Sequence, residues 1–233
     1  MMRARGALHL CAMVNLPYII CSVLSFIPAL VLHEVAHGYA AYKLGDPTAK
    51  RSGRLSLNPL KHIDPFGTVI LPLLLMVMGW PVFGYAKPVP YNPAYFKDPR
   101  KGDLIVGLAG PAANLAAAWL CCRAEGGALF AGLNLALGCF NLLPVGRLDG
   151  GRALHCLLSM SIGPAAEEAE AVLDRVLIAF LLALGVLLIG WGGSFTLLLV
   201  ALWLLAKEKE GKKGRNRSCQ GLQKRVKWFL HSK

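Results

Sequence analysis

The sequence is poor in charged residues, and negative charge is particularly scarce. Only 16% of its 233 residues are charged while 55% are apolar, which excludes a soluble enzyme built around a large core. Lys and Arg number 25 against 13 Asp and Glu, for a formal net charge of +12. The basic residues lie between apolar runs and at the C-terminal end, as in the cytoplasmic loops of membrane proteins. The composition therefore predicts a membrane protein and argues against nucleic acid as the partner.

The sequence also lacks cysteines at a metal-binding spacing. The chain has seven cysteines, but none forms a C-x-x-C pair, and five of them lie within apolar stretches. This pattern is typical of small buried side chains rather than of disulfides or thiolate metal ligands. A metal site in this chain, if it has one, is expected to use other residue types.

Long uncharged runs are abundant, and they predict an all-α polytopic membrane protein. The runs cover residues 16–32, 65–86, 104–122, 126–146 and 176–206. A helix crosses a bilayer with roughly 20 apolar residues. The last run would form a helix about 46 Å long, well beyond a hydrocarbon core of about 30 Å, so a Gly-rich turn near its middle predicts a hairpin of two spans. We expect five to six transmembrane helices.

The run at 65–86 differs from the others because prolines and glycines interrupt it. Basic loops flank it on both sides, and a proline-rich stretch follows it up to about residue 92. If both loops face the cytoplasm, the segment at about 65–92 is re-entrant, which is tolerated where protein or a water-filled cavity satisfies its backbone. A simple sixth span is the alternative.

An H-E-x-x-H motif, His33-Glu34-Val35-Ala36-His37, follows the first uncharged run. In a helix, positions i and i+4 share a face, so His33 and His37 can direct both imidazoles at one metal ion. Glu34 is then placed to take a proton from a zinc-activated water. Ionisable groups at a membrane boundary are costly and mark functional sites. The motif predicts two ligands of a zinc site and a general base.

Asp149 is the best candidate for a further ligand. A catalytic zinc needs three protein ligands and one open position. Asp149 follows the uncharged run at 126–146. If the spans alternate in direction, Asp149 and His37 lie at the same membrane face.

Three stretches together resemble the site-2 protease family of intramembrane zinc metalloproteases. They are the H-E-x-x-H motif, the sequence Gly110-Pro111-Ala112-Ala113-Asn114, and the segment 141–150, which fits N-x-x-P-x-x-x-x-D-G. The loops at 45–50 and 53–59 are similar to those of the compact subgroup without PDZ or CBS domains. The resemblance covers about residues 16–206.

The resemblance implies a zinc metalloendopeptidase that hydrolyses a peptide bond in or near a transmembrane segment of a membrane protein. It implies one Zn²⁺ per chain, held by His33, His37 and Asp149, with Glu34 as general base. Asn141 would contact the substrate backbone, and Asn114 would help to hold substrate or intermediate. The stretch at 84–92 is similar to the family's substrate-holding segment.

The expected organisation is an intramembrane metalloprotease domain at 1–206 and a basic cytoplasmic tail at 207–233. We expect a multi-pass protein of the cell membrane whose active site lies near the cytoplasmic face, with the lipid bilayer and a transmembrane protein substrate as partners. Two alternatives remain: a catalytically silent membrane-helix-binding protein of the same fold, and a metal transporter. Asn134 is interpreted as an interhelical hydrogen-bonding residue.

Overall fold

The structure, a computed structural model, describes residues 16–71, 74, 84–146, 148–190, 198, 200–202 and 204–205. All regular structure in these residues is helical. The helices are α1 (Leu16–Lys43), α2 (Thr48–Arg51), α3 (Pro99–Cys121), α4 (Ala128–Asn141), α5 (Asp149–Ser161) and α6 (Ala166–Gly190). Three 3₁₀ turns (Pro59–Lys61, Pro93–Tyr95, Gly163–Ala165) and a π-helical turn (Pro65–Ile70) lie between them. The predicted all-α fold is confirmed.

Three helices among the described residues are long and apolar enough to cross a membrane. The qualifying segments are Ile20–Lys43 in α1, Pro99–Cys121 in α3 and Ala166–Ile189 in α6, and α4 is a shorter apolar helix. These helices confirm a multi-pass membrane protein. The predicted total of five to six spans also depends on residues 72–73, 75–83 and 191–197, which lie outside the described residues.

The chain divides into two compact units, residues 1–143 and 144–233. In the first unit, α1, α3 and α4 all pack against one another. Small residues allow this close packing. A Cβ added to Gly138 of α4, for example, would lie 3.1 Å from the side chain of Leu115 in α3. These three helices form a bundle within the first unit.

Helix ends in the first unit follow local sequence signals. Gly45, just after α1, has a φ of +105°, a value that residues with a Cβ rarely adopt. At the start of α3, the Asp98 carboxylate accepts hydrogen bonds from the backbone N–H groups of Arg100 and Lys101, and Pro99 takes the first helical position. The hydrogen bond from Lys101 lowers the pKa of Asp98. α1 thus ends at Lys43, shortly before the Gly45-Asp46-Pro47 sequence.

The segment predicted to be re-entrant begins as a π-helical turn and ends as irregular chain. Asp64 caps the turn at Pro65–Ile70 by accepting hydrogen bonds from two backbone N–H groups. Residues 84–92 form neither helix nor strand. The backbone N–H of Tyr85 donates to Gly67 (3.1 Å) and that of Lys87 to His62 (3.0 Å). Most of the segment between them lies outside the described residues, so the re-entrant path stays a prediction.

In the second unit, α5 and α6 pack together. The Asp174 carboxylate of α6 accepts a hydrogen bond from the backbone N–H of Gly146 at 2.8 Å, which ties the loop before α5 to α6. A Cβ added to Gly185 would lie 2.9 Å from the backbone nitrogen of Leu198. The chain therefore returns to α6, as a helical hairpin requires. The predicted turn of that hairpin, at 190–194, and the tail at 207–233 lie outside the described residues, apart from Gly190 itself.

Candidate metal centre

His33 and His37 converge at the C-terminal half of α1. They lie one helical turn apart and are buried, with 4% and 7% of their surface exposed. Their rings meet edge to face at a centroid distance of 4.6 Å, and the two Nε2 atoms are 3.1 Å apart. The structure thus brings the two predicted histidine ligands to one point.

The hydrogen bonds of the two Nδ1 atoms determine the tautomers. His37 Nδ1 lies 2.6 Å from the backbone carbonyl oxygen of Val106, and His33 Nδ1 lies 2.6 Å from Oδ1 of Asn114. Because oxygens of this kind only accept, both Nδ1 atoms carry the proton. In the neutral rings, each Nε2 therefore presents a lone pair toward the other. Two such nitrogens do not hydrogen bond to each other, but they suit a shared cation.

This donor set fits zinc. A tetrahedral zinc with bonds of about 2.0–2.1 Å separates two nitrogen ligands by about 3.3 Å, close to the 3.1 Å found here. Metal-binding histidines usually donate their other N–H to a carbonyl or carboxylate, as both rings do. The two imidazoles therefore have the spacing, the tautomer and the outer hydrogen bonds of zinc ligands.

Gly110 of α3 makes the close approach of the rings possible. A Cβ at this position would lie 2.3 Å from His37 Nε2 and 2.8 Å from His33 Cε1, far inside contact distance. Only a residue without a side chain lets the α3 backbone lie against both imidazoles. This is a physical reason for the glycine in the Gly110-Pro111 sequence.

Glu34 is half-buried, and its carboxylate is held by the 84–92 segment. Its Oε2 accepts a hydrogen bond from the backbone N–H of Val89 at 2.8 Å. That distance is typical of charge-assisted hydrogen bonds, which are about twice as strong as neutral ones. The position next to His33 in α1 and the contact with Val89 together orient the predicted general base.

Two charged side chains also fasten the 84–92 segment, one on each side of Val89. The Arg54 guanidinium donates from Nη2 to the backbone carbonyl oxygens of Lys87 (2.6 Å) and Pro88 (3.2 Å). At the other end, the fully buried Asp46 carboxylate accepts a hydrogen bond from the backbone N–H of Asn92 at 2.6 Å. Val89, between these two points, is thereby held beside Glu34.

Asn114 hydrogen bonds to Nδ1 of His33 and not to Nε2, the nitrogen that faces His37. Its Nδ2 donates to the backbone carbonyl oxygen of Ala29 (3.0 Å) and to Oδ1 of Asn134 (2.7 Å), while its Oδ1 accepts from His33. Asn114 is fully buried. These contacts give it a role in orienting His33, and its contact with substrate stays a prediction.

The other two predicted site residues, Asn141 and Asp149, belong to different units. Asn141 is the last residue of α4, and its Nδ2 donates to the backbone carbonyl oxygen of Leu137 at 3.0 Å. Asp149 is the first residue of α5 and is buried, with an ion pair of 3.7 Å to Arg152. These positions do not test the predicted role of Asn141 as a substrate contact or that of Asp149 as a metal ligand, and both roles stay predictions.

Three residues near the histidines and Glu34 are not among the predicted site residues, and Val89 lies in the predicted substrate-holding segment without a role of its own. The sequence assigns no role to Asp46 or Arg54 and only an interhelical contact to Asn134, while Val89 contributes its backbone N–H. Arg54 and Asp46 do lie in the two loops that carry the family resemblance. That was the one available signal, and it did not indicate which backbone groups they bind.

Comparison with known proteins yields matches in both sequence and fold. The model of the family described as "Peptidase family M50" matches residues 127–184. The Bacillus subtilis protein named "Putative zinc metalloprotease YwhC" is 39% identical over 176 residues, which cover 67% of this chain and 76% of that protein. The Mycobacterium tuberculosis (strain H37Rv) protein named "Putative zinc metalloprotease Rip2" is 30% identical over 175 residues, 70% of this chain and 65% of that protein.

A solved structure shares the fold. The site-2 protease from Methanocaldococcus jannaschii superposes with a TM-score of 0.51 at 22% sequence identity, covering 80% of this chain and 75% of that one. This likeness concerns the fold alone, whereas the match to the Bacillus subtilis relative extends over most of both sequences. The chain belongs to peptidase family M50 and is a membrane metalloprotease of the site-2 protease type.

Proposed function

We propose that this protein is an intramembrane zinc metalloendopeptidase that hydrolyses a peptide bond in or near a transmembrane segment of another membrane protein. The observation that carries the proposal is the convergence of the Nε2 atoms of His33 and His37, 3.1 Å apart, in a motif whose Glu34 carboxylate is oriented by a hydrogen bond from Val89. All three residues lie on α1, a helix apolar enough to cross a bilayer. The chemistry is therefore expected at membrane depth.

His33, His37 and Asp149 are the proposed ligands of one zinc ion per chain. The histidines are supported by the convergence of their Nε2 atoms and by the Nδ1 hydrogen bonds that leave each Nε2 with a lone pair. Support for Asp149 is its place in the N-x-x-P-x-x-x-x-D-G motif, because a catalytic zinc needs a third protein ligand. When bound, zinc would lower the pKa of a water molecule and polarise the scissile carbonyl.

Glu34 is the proposed general base. As the water oxygen attacks the carbonyl carbon, the Glu34 carboxylate accepts the water proton. It then passes this proton to the amide nitrogen as the carbon–nitrogen bond breaks. The N–H of Val89 binds Oε2 of Glu34, so we assign the proton transfer to Oε1.

The substrate is proposed to be held in an extended form between Asn141 and the 84–92 segment. A transmembrane helix must unwind locally first, because its own hydrogen bonds shield the peptide carbonyls. Between Lys87 and Pro90 the segment has two prolines without N–H groups, and the N–H groups of Lys87 and Val89 bind His62 and Glu34. Because Arg54 binds the carbonyls of Lys87 and Pro88, an added substrate strand would bind here chiefly by donating its own N–H groups to the carbonyls of Val89 and Pro90.

The proposed location is the cell membrane, with the active site near the cytoplasmic face and the tail at 207–233 in the cytoplasm. The excess of Lys and Arg in the loops and tail supports this orientation. The proposed partners are a transmembrane protein substrate and the lipid bilayer.

The catalytically silent alternative requires a protein that binds membrane helices without cleaving them. Glu34 argues against it, because a binding protein has no use for an oriented base beside a pair of metal-ligating histidines. The transporter alternative requires polar groups through the full depth of the spans. In the described part of α1, the ionisable histidines, glutamate and lysine instead fall at residues 33–43, in its C-terminal part.

Replacement of the base tests the proposal. Glu34→Gln keeps the size of the side chain and removes its basicity, so cleavage of a co-expressed transmembrane substrate should stop. The substrate is found by comparing the membrane proteomes of cells that express the wild type and the variant. Glu125→Gln, the same change in an exposed turn, serves as the control and should cleave normally. Undiminished cleavage by Glu34→Gln would refute the protease mechanism.

Metal analysis tests the ligands independently of any substrate. The purified wild type should contain about one zinc per chain, and both His37→Ala and Asp149→Ala should lose it. His155→Ala is the control, since His155 pairs with Glu170 at 2.7 Å in the second unit, and it should retain zinc. Retention of zinc by Asp149→Ala would remove this residue from the ligand set while leaving the histidines in place.

A further inference from the structure

Asn134 is a fully buried polar residue in the middle of α4. A buried amide is costly unless its hydrogen-bonding groups are satisfied. Its Nδ2 donates to the backbone carbonyl oxygen of Phe130 (2.9 Å), and its Oδ1 accepts from Nδ2 of Asn114 (2.7 Å). Asn114 in turn accepts the hydrogen bond from His33. Asn134 is therefore the outer end of a chain of hydrogen bonds that leads to the metal-binding histidine pair.

The direction of every hydrogen bond in this chain is determined by backbone carbonyls. The carbonyl oxygen of Phe130 can only accept, so the NH₂ group of Asn134 faces it and the Oδ1 of Asn134 faces Asn114. The carbonyl oxygen of Ala29 likewise requires the NH₂ group of Asn114. The only orientation that satisfies both asparagines places Oδ1 of Asn114 toward His33.

A rotated Asn114 amide would impair metal binding. Its NH₂ group would then face His33 Nδ1, which would have to accept, so the ring proton would move to Nε2. A protonated Nε2 has no lone pair for a metal ion. With Asn134 in place, the rotated amide would set the Asn114 oxygen against both Oδ1 of Asn134 and the carbonyl oxygen of Ala29. Asn134 thus adds a second acceptor that opposes the rotation.

We propose that Asn134 is a positioning residue for the metal centre, which keeps His33 in the tautomer that leaves Nε2 able to bind zinc. The inference rests on the proposed function insofar as it requires a zinc site at His33 and His37. It assigns to Asn134 a role that interhelical packing alone does not provide. Loss of outer hydrogen-bonding partners of metal ligands typically weakens metal binding 10–100-fold.

The test is the zinc affinity of the purified full-length protein in detergent, measured by competition with a chromogenic chelator. In Asn134→Ser, the hydroxyl is too short to reach Asn114 but can bond to the carbonyl of Phe130 in its own helix. Zinc binding should weaken by about tenfold. Cys139→Ser, which introduces the same side chain at an exposed position of the same helix, is the control, and its zinc affinity should stay at the wild-type value.

Two further variants keep the test decisive. Asn134→Asp retains an oxygen that accepts from Asn114 in either protonation state, so its zinc affinity should stay within about threefold of wild type. Asn134→Leu removes the acceptor at similar volume and should weaken binding as Asn134→Ser does. If Asn134→Ser and Asn134→Leu lose thermal stability but bind zinc like the wild type, Asn134 is only a packing residue and the inference is wrong. Failure of the wild type to bind zinc would instead refute the proposed function itself.

Discussion

The hydrogen bond between the backbone N–H of Val89 and Glu34 leads to a sharp prediction. Val89→Pro removes this single donor, because proline has no N–H. Position 89 already lies between two prolines and precedes Pro90, so its backbone is restricted to extended conformations that proline also adopts. The variant should keep the fold while releasing the Glu34 carboxylate.

The expected magnitude follows from the 2.8 Å bond to a charged acceptor. Hydrogen bonds to charged groups contribute about 1.5–3 kcal/mol. If that contribution holds the base in its reactive position, kcat should fall by roughly 10–100-fold, at 1.36 kcal/mol for each factor of ten. The loss should remain smaller than that of Glu34→Gln, because the carboxylate itself is still present. KM should change less than kcat, since the bond acts on the base.

The assay is steady-state cleavage, in detergent, of a substrate found by comparing wild-type and Glu34→Gln membranes. Val89→Ala is the matched control: it removes the buried side-chain methyl groups that pack near Gly38 but keeps the N–H. Zinc content and thermal unfolding verify that both variants are intact. If Val89→Pro keeps kcat within twofold of wild type, or if Val89→Ala loses as much, the backbone N–H does not position the base.

Two other predictions concern the packing around the site. Gly110→Ala should weaken zinc binding at least tenfold in the chelator competition, because its Cβ would lie 2.3 Å from His37 Nε2. Gly132→Ala is the control and should bind zinc normally, because nothing lies within 4 Å of a Cβ added there. Asp46→Ala should cost about 1–3 kcal/mol of stability by removing the acceptor for the N–H groups of Asn92 and Thr48, which a lowered thermal unfolding midpoint would reveal. An unchanged midpoint would contradict the role of Asp46 as an anchor of the 84–92 segment.

Local features of the site could be predicted from the sequence because they depend on short-range geometry. The convergence of His33 and His37 follows from the helical repeat, which sets residues i and i+4 on one face. The end of α1 follows from the glycine and proline after Lys43. In both cases the information lies within a few residues.

The start of α6 was not predicted because hydrophobicity does not mark it. The uncharged run begins at Val176, but α6 begins at Ala166 with an acidic first turn that contains Glu167 and Glu168. A charged first turn does not end a helix, since negative charge is favourable at a helix N-terminus. Composition therefore located the membrane-crossing part of this helix and missed its polar beginning.

The contacts that position Glu34 could not be predicted for a different reason. Val89 and Glu34 are separated by 55 positions, and Arg54 reaches the carbonyl of Lys87 across 33. Both contacts use backbone groups, which every residue possesses, so no periodicity or residue type indicates which of them meet. The sequence indicates that the 84–92 segment is irregular, and only the fold shows that it binds the predicted base.

The acceptors around the histidines explain why this arrangement requires a cation. Val106, Ala29 and Phe130 each contribute a backbone carbonyl, and each of these oxygens can only accept. Together they place both Nδ1 protons on the outer side of the rings and both Nε2 lone pairs on the inner side. At 3.1 Å those lone pairs repel each other unless a positive charge lies between them. This repulsion disfavours the folded arrangement of the three-helix unit, and a bound metal ion removes it. Folding and metal binding are therefore expected to stabilise each other.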